Sequence, residues 1–250
     1  MRESKIAVGA KMDFSVIVPA FNEEKRIRAC LDSIKSQKTG HSFELIVSDS
    51  NSTDGTVAIA REYTDKVVVC RERGTARARN EGAKLASGDI FVFIDSDTVL
   101  YPGYLDAVHR AFRDPGLLAA SCAFKFTRRS PKLLGAEYVT NGYYLLRSAF
   151  SAATLPGFNV CIRREAFERL GGFRLCHLED LDMSIKLRQA GRTRYLPRRL
   201  VITSSRRLEK DGVLGTLRYY MDLFKASQGR RLGFDLRVGE SKNDDYVHHE

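Results

Sequence analysis

The feature of this sequence that most restricts its fold is Ile90-Phe91-Val92-Phe93-Ile94, five consecutive apolar residues with Gly88 just before them and Asp95-Ser96-Asp97 directly after. A strand that is apolar on both faces is stable only inside a sheet covered on both sides, the usual situation of parallel sheets whose crossover helices supply the cover. The preceding residues carry the matching pattern. Ser15 to Val18 is a β-branched run closed by Pro19, and Asn22 is expected to cap a helix with Glu23 and Glu24 in its first turn and Ile27, Leu31 and Ile34 on one face. Phe43 to Ser48 reads as a second strand, Ser52 or Asp54 to Tyr63 as a helix, Lys66 to Cys70 as a third strand and Ala76 to Ala86 as a helix. Strands alternating with helices predict an α/β fold with a Rossmann-like, mostly parallel sheet covered by helices on both faces. Beyond Asp97 the pattern mixes: a helix over 102–112, a strand over 118–126, a helix over 133–150, a strand over 159–163, a short helix to Leu170 and a helix over 181–190.

Composition narrows the class. With 250 residues, 43% apolar content and six prolines, the chain describes one globular unit. A chain of this size buries roughly 70 to 75% of its unfolded surface, enough to need no disulfide or zinc staple. Five cysteines without a CxxC pair predict a reduced, cytoplasmic setting. No apolar run approaches the ~20 residues of a membrane span, and the N-terminus lacks a signal-peptide core. The formal charge is +10, and 14 basic against five acidic residues place +9 of it within 185–240. A local basic face predicts an anionic partner: substrate phosphates, acidic lipid at the cytoplasmic face of a membrane, or nucleic acid.

In open α/β sheets ligands bind beyond the carboxyl ends of the strands. Four polar groups stand at such ends. Pro19-Ala20-Phe21-Asn22-Glu23-Glu24 follows the first strand, and Asp49-Ser50-Asn51-Ser52-Thr53-Asp54-Gly55-Thr56 follows the second. The second loop runs into a helix N-terminus, so it suits a base or ribose through Asp and an anion through free N–H groups, although each loop alone is equally well a helix cap. Asp95 and Asp97, two residues apart after the central strand, project to one side and repel unless a cation lies between them; hard oxygen ligands favour Mg²⁺ or Mn²⁺ bridging to a diphosphate. The fourth group, His177-Leu178-Glu179-Asp180-Leu181-Asp182, opens a helix. Three carboxylates in four positions exceed what capping needs, and one of them can serve as a general base.

In order, these residues resemble the family-2 glycosyltransferases of the GT-A fold. The resemblance spans about Phe14 to Tyr195 and rests on SVIVPAFNEE, DSNSTDGT, Gly74 to Gly82 before Gly88-Asp89, Asp95-Ser96-Asp97, Gly157-Phe158-Asn159 with Arg163 to Phe167 and Gly171-Gly172-Phe173, and Glu179-Asp180. It implies an inverting, metal-dependent sugar transfer from a UDP- or GDP-sugar. By motif position, Pro19, Asn22, Glu23 and Asp49 line the nucleotide pocket, Arg77 and Asn80 flank it, and Asp95, Ser96 and Asp97 sit at ribose and metal (Mn²⁺ or Mg²⁺). Asp180 is the base, while Gly157, Asn159 and Glu179 lie on the acceptor side. Where many members carry paired Asp in the second loop this chain has Asp49-Ser50, which leaves uridine against guanosine open. Arg206 and Arg207 lie where some relatives place an arginine near the diphosphate.

The implied organisation is an extension over 1–11 and a single domain over 12–238, followed by a disordered tail over 239–250. Within the domain the nucleotide half is about 12–100, the acceptor half about 101–205 and a basic helical region about 206–238. A sugar-phosphate nucleotidyltransferase is the nearest rival, but it calls for a basic Gly-rich loop after the first strand, where this chain is acidic. A basic nucleic-acid-binding protein is the other; it leaves Asp95, Asp97 and Asp180 without a task, so no nucleic acid is expected. The expected acceptor is a lipid phosphate or a saccharide.

Overall fold

The computed structural model of the chain describes residues 12–150, 153–176, 178–206, 208 and 209. The extension 1–11, His177, Arg207, the basic stretch from 210 and the tail 239–250 lie outside the described residues. In chain order the elements are β1 (Phe14–Ala20), α1 (Ile27–Lys35), β2 (Phe43–Asp49), α2 (Thr56–Arg61), β3 (Val67–Val69), α3 (Thr75–Lys84), β4 (Ile90–Ile94), β5 (Val99–Leu100), α4 (Tyr104–Phe112), β6 (Leu117–Phe126), α5 (Pro131–Ala149), β7 (Asn159–Arg163), α6 (Arg164–Arg169), α7 (Glu179–Ala190) and β8 (Arg192–Thr203).

All eight strands form one sheet in the order β3-β2-β1-β4-β7-β6-β8-β5. The half made by β3, β2, β1 and β4 is wholly parallel, and β8 runs parallel to β6. β7 lies antiparallel between β4 and β6, and β5 is antiparallel to β8. β4 is central, and the alternation of its side chains divides the core between two faces. Phe91 and Phe93 pack with Ile17, Ile46, Phe167 and Met183, under α3, α6 and α7. Ile90, Val92 and Ile94 pack with Val16, Leu31, Val108 and Tyr144, under α1, α4 and α5. Gly82 lets α3 approach β1 this closely: a Cβ there would stand 2.6 Å from Ile17 Cγ2.

Two local expectations are corrected. Asn22 does not cap α1, which begins at Ile27. The Asn22 backbone takes φ 51°, and its Oδ1 accepts from Thr53 N–H at 2.9 Å, so the side chain ties two loops together instead of ending a helix. β8 was not expected at all. It follows β6 with a register break that leaves Pro197 and Arg198 without partners between the pairs Cys122↔Leu196 and Ala123↔Arg199. A proline and a bulge within a run of arginines hide the two-residue alternation that marks a strand.

Candidate active site

The carboxyl ends of β1, β2 and β4 bring the predicted loops side by side. Hydrogen bonds lace the loop after β1 to the loop after β2. Asn22 N–H donates to Ser52 Oγ (2.8 Å), Thr53 N–H to Asn22 Oδ1 (2.9 Å), Glu23 N–H to Thr56 Oγ1 (2.8 Å), Glu24 N–H to Asp54 Oδ2 (3.1 Å) and Gly55 N–H to Glu24 Oε2 (3.0 Å). Asp49 is fully buried at the end of β2 and accepts from both Ser52 N–H (2.7 Å) and Ser52 Oγ (2.5 Å), which fixes the turn that follows it. Pro19 is buried within β1 opposite Ser48; the ladder to β4 stops at Ile17, before the donor that proline lacks would be needed.

Two arginines organise the acidic groups. Arg79 of α3, 2% exposed, donates through Nη2 to Asp95 Oδ1 (2.9 Å) and to the Gly157 carbonyl (3.1 Å), and through Nη1 to Glu179 Oε1 (3.0 Å). Burial works against its charge, but Asp95, Glu179 and Asp180 outweigh it and hold its pKa above the ordinary arginine value. The same burial, with the neighbouring Asp180 and Asp95 carboxylates, pushes the Glu179 carboxyl above the usual range against the pull of Arg79. Arg206 donates through Nη2 to Glu23 Oε1 (2.7 Å) and Asp97 Oδ2 (2.9 Å). The two guanidinium groups thus link the ends of β1 and β4 and the start of α7.

Asp180 stands in the first turn of α7; its Oδ1 accepts from Leu181 N–H (2.8 Å) and its Oδ2 from Gly157 N–H (3.3 Å). A Cβ on Gly157 would come within 2.9 Å of Arg79 Nη2 and 3.1 Å of Asp180 Cβ, so glycine is what allows this loop to lie between them. Glu23, Asp49, Asp95, Ser96, Asp97, Gly157, Glu179, Asp180 and Arg206 therefore belong to one connected region.

The model of glycosyl transferase family 2 matches residues 15–171, well over half of the chain. The chain belongs to this family. The fold is the GT-A type of α/β fold, as comparison with solved structures bears out. A Pyrobaculum calidifontis mannosyltransferase in complex with GDP-Man and Mn²⁺ is 28% identical with a TM-score of 0.66, over 78% of this chain and 57% of that one. S. aureus TarS 1–349 in complex with UDP-GlcNAc is 25% identical with a TM-score of 0.63, over 77% and 58%. Among curated relatives, an uncharacterized glycosyltransferase of Haemophilus influenzae is 30% identical over 70% of this chain, and glycosyltransferase AglE of Haloferax volcanii 26% over 64%. The matches span 62% and 55% of those two relatives, so this chain corresponds to little more than half of their length.

Three of the family-motif residues lie apart from the connected carboxylates. Asn80 donates to the Phe173 carbonyl (2.8 Å) and accepts from its N–H (2.9 Å), fastening α3 to the Gly171-Gly172 turn. Asn159 is fully buried; its Oδ1 accepts from Tyr104 Oη (2.8 Å) and its Nδ2 donates to the Cys122 carbonyl (2.6 Å), so its amide joins β7 to β6 and α4. Arg77 pairs with Glu72 at 2.6 Å. Arg79, which the motif reading passed over between Arg77 and Asn80, is the residue that meets both Asp95 and Glu179. Its signal was helical spacing: Ala76, Arg79 and Gly82 recur every three residues, and all are buried.

A divalent ion fits the donor set in one form. Among the described residues no three His, Cys, Asp or Glu side chains form a metal cage. Mg²⁺ and Mn²⁺ commonly bind through one or two carboxylates with substrate phosphates completing the shell, and Asp97, whose Oδ1 holds only a 3.4 Å contact from Thr98 Oγ1, can supply such a ligand beside Asp95.

Proposed function

We propose that this chain transfers a sugar, with inversion, from a nucleoside diphosphate sugar to a hydroxyl or phosphate acceptor, either a lipid phosphate or a saccharide. The observation that carries this is the convergence of Glu23, Asp95, Asp97 and Glu179 on two arginines at the carboxyl edge of the parallel half-sheet, with Asp180 beside them at Gly157. The donor complexes of the two solved relatives, one with GDP-Man and Mn²⁺ and the other with UDP-GlcNAc, support the donor class.

In this assignment the laced loops after β1 and β2, with Asp49, cradle the nucleoside, and Asp95 with Asp97 face the diphosphate. A bound Mn²⁺ or Mg²⁺, held by these two carboxylates, would neutralise charge on the departing diphosphate. Arg206 shares that task, since its guanidinium already lies against Asp97. Asp180, at the mouth of the site next to Gly157, takes the acceptor proton or orients an acceptor phosphate for attack on the face opposite the diphosphate. Arg79 fixes the spacing of the two sides by holding Asp95, Gly157 and Glu179 on one buried cation.

Calorimetric titration with UDP and GDP, each with Mn²⁺ and with EDTA, tests the donor assignment. Metal-dependent binding of one nucleotide, weakened at least about tenfold by Asp97→Asn, is expected from the loss of a carboxylate facing ion and diphosphate. Equal affinity with and without metal would remove Asp95 and Asp97 from the metal role.

A further inference from the structure

The 19-residue helix α5 has its polarity inverted. Its buried face contains Glu137, Thr140 and Asn141 beside Leu133 and Tyr144. These polar groups have partners on the sheet: Asn141 exchanges hydrogen bonds with both backbone groups of Phe124, at 3.0 and 3.1 Å, and Glu137 accepts from Phe126 N–H at 3.0 Å and Arg199 Nη1 at 3.0 Å. Its outer face carries the apolar residues. Leu134, Tyr138, Gly142, Leu146 and Phe150 recur every four residues, and Val139 widens the stripe. Tyr138 is 57%, Leu146 61%, Val139 74% and Phe150 76% exposed. A helix in water places such residues inward, so an outward stripe needs a cover.

The charges around the stripe say what the cover is. Glu137 is the only acid in α5, and it is buried. Arg128 and Arg129, mostly exposed, stand before the helix with Lys132 in its first turn, Arg199 lies over the Tyr138 ring at 4.2 Å and Arg147 over the Tyr143 ring at 5.7 Å. Glu209 answers Arg128 at 3.1 Å, so the rim is cationic on balance, and the centre is apolar and aromatic, the pattern of a helix that lies in a membrane interface. No described helix is long and apolar enough to cross a membrane. Two other covers meet the wrong charge. A second copy would bring two cationic rims together, and residues 210–238 of this chain, with six basic against three acidic residues, are themselves cationic.

We propose that the outer face of α5 is a docking surface for anionic lipid, on which the protein lies with α5 in the plane of the headgroups. Phe150 ends the stripe only a few residues before Leu155 to Gly157, the loop that meets Asp180, so docking would turn this side of the candidate site toward the bilayer.

The chain contains no tryptophan, so Val139→Trp gives a reporter without background. Mixed with phosphatidylcholine vesicles containing phosphatidylglycerol, it is expected to show a blue-shifted, enhanced emission that salt reverses, and no change with phosphatidylcholine alone. Leu85→Trp, at the end of α3 on the other face of the sheet, is expected to stay unchanged with both. In flotation, Val139→Asp is expected to lower partitioning to the anionic vesicles at least about tenfold, through lost apolar insertion and added negative charge. Its melting temperature should stay as in the wild type. Vesicle binding is read without donor or acceptor, so its outcome is independent of the transferase assignment. Three results would overturn the proposal: equal binding to neutral and anionic vesicles, a large loss of melting temperature in Val139→Asp, which means that this chain covers the stripe, or dissociation of a lipid-free dimer by the same change.

Discussion

At the scale of single residues, Asp180 and Arg79 divide chemistry from positioning. In Asp180→Asn the amide oxygen can keep the bond from Leu181 N–H, while its NH₂ faces Gly157 N–H and loses one charge-assisted but long contact of 3.3 Å; the stability cost is about 1 to 2 kcal/mol. An amide cannot accept the acceptor proton, so kcat should fall by roughly 10²-fold or more. Turnover measured beside the melting temperature separates the two, and near-normal kcat would move the base to Glu179. Arg79 is expected to behave in the opposite way. Arg79→Met leaves the partly exposed Asp95 and the more buried Glu179 facing one another and should cost about 2 to 3 kcal/mol, less than the penalty for breaking a fully buried pair because water reaches Asp95. Arg79→Lys keeps the charge but not the fork that reaches three acceptors, so it should recover stability while nucleotide affinity stays reduced; full recovery of both in the lysine variant would reduce Arg79 to a counter-charge. The family motifs pointed to Arg77 and Asn80, because motif matching weighs polar residues by position. The three-residue spacing of Ala76, Arg79 and Gly82 was present in the sequence, but that this face is the buried one comes from the sheet it packs on.

At the scale of elements, β2 is fastened by one carboxylate. Glu44 accepts from Ser15 Oγ at 2.5 Å, from Ser87 N–H at 2.6 Å and Oγ at 2.8 Å, and from Lys66. Burial alone would raise its pKa, but Lys66 and the two serines overcome this and bring it down to about 2. A carboxylate whose pKa is lower in the folded than in the unfolded chain stabilises fully above the unfolded value and loses that contribution as pH falls through the folded one. The window therefore runs from about pH 4.5 down to about 2, and the stabilisation at stake is about 2 to 3 kcal/mol, reduced somewhat because Lys66 is half in water. Wild-type melting temperature should fall across this window more steeply than that of Glu44→Gln, which starts lower at neutral pH; parallel curves would take Glu44 out of the acid limb. The strands joined here were legible because each contains an uninterrupted apolar or β-branched run, Val16 to Val18 in β1, Leu45 to Val47 in β2 and Ile90 to Ile94 in β4. α5 was legible in its body, but the expected start at 133 lies two residues late: Ser130 accepts from Leu133 N–H at 3.2 Å and Pro131 opens the helix, a start signal that the apolar periodicity alone does not use. β8 was not, since its pairing depends on β6, about 75 residues earlier, and its own pattern is broken at Pro197-Arg198. The start of α1 was misplaced for a related reason: the acidic turn at Asn22 to Glu24 is held by loop residues from 52 to 56, and no local rule anticipates a cap captured by another loop.

At the scale of the molecule, the donor side is closed by a residue from the far end of the described chain. Arg206 follows β8, yet its guanidinium joins Glu23 and Asp97, 183 and 109 positions earlier. Its place near a diphosphate was an expectation from resemblance; its contact with both carboxylates is a product of the pairing of β8 with β5, the short strand that follows Asp97 in the chain, which brings the end of β8 to the Asp95-Ser96-Asp97 turn. A guanidinium on Oδ2 and a divalent ion at Oδ1 compete for the single charge of Asp97, whereas a bound diphosphate offers the same guanidinium an anion and frees the carboxylate. Arg206→Ala should therefore have two opposite effects. Affinity for Mn²⁺ alone should rise severalfold, because Glu23 and Asp97 lose their competing cation. Affinity for UDP or GDP with saturating Mn²⁺ should fall about tenfold or more, the size of one charge-assisted hydrogen bond to phosphate, about 1.5 to 3 kcal/mol. The melting temperature should fall only modestly, since the Arg206 side chain is 35% exposed and the buried Glu23 keeps Arg26 as a partner at 3.1 Å. Electron paramagnetic resonance of Mn²⁺ reads the first quantity and calorimetry the second. A parallel fall in both would mean that Arg206 only shapes the pocket, and a rise in both that it merely occupies the ion's position; opposite signs identify a side chain that holds the carboxylates until the diphosphate arrives.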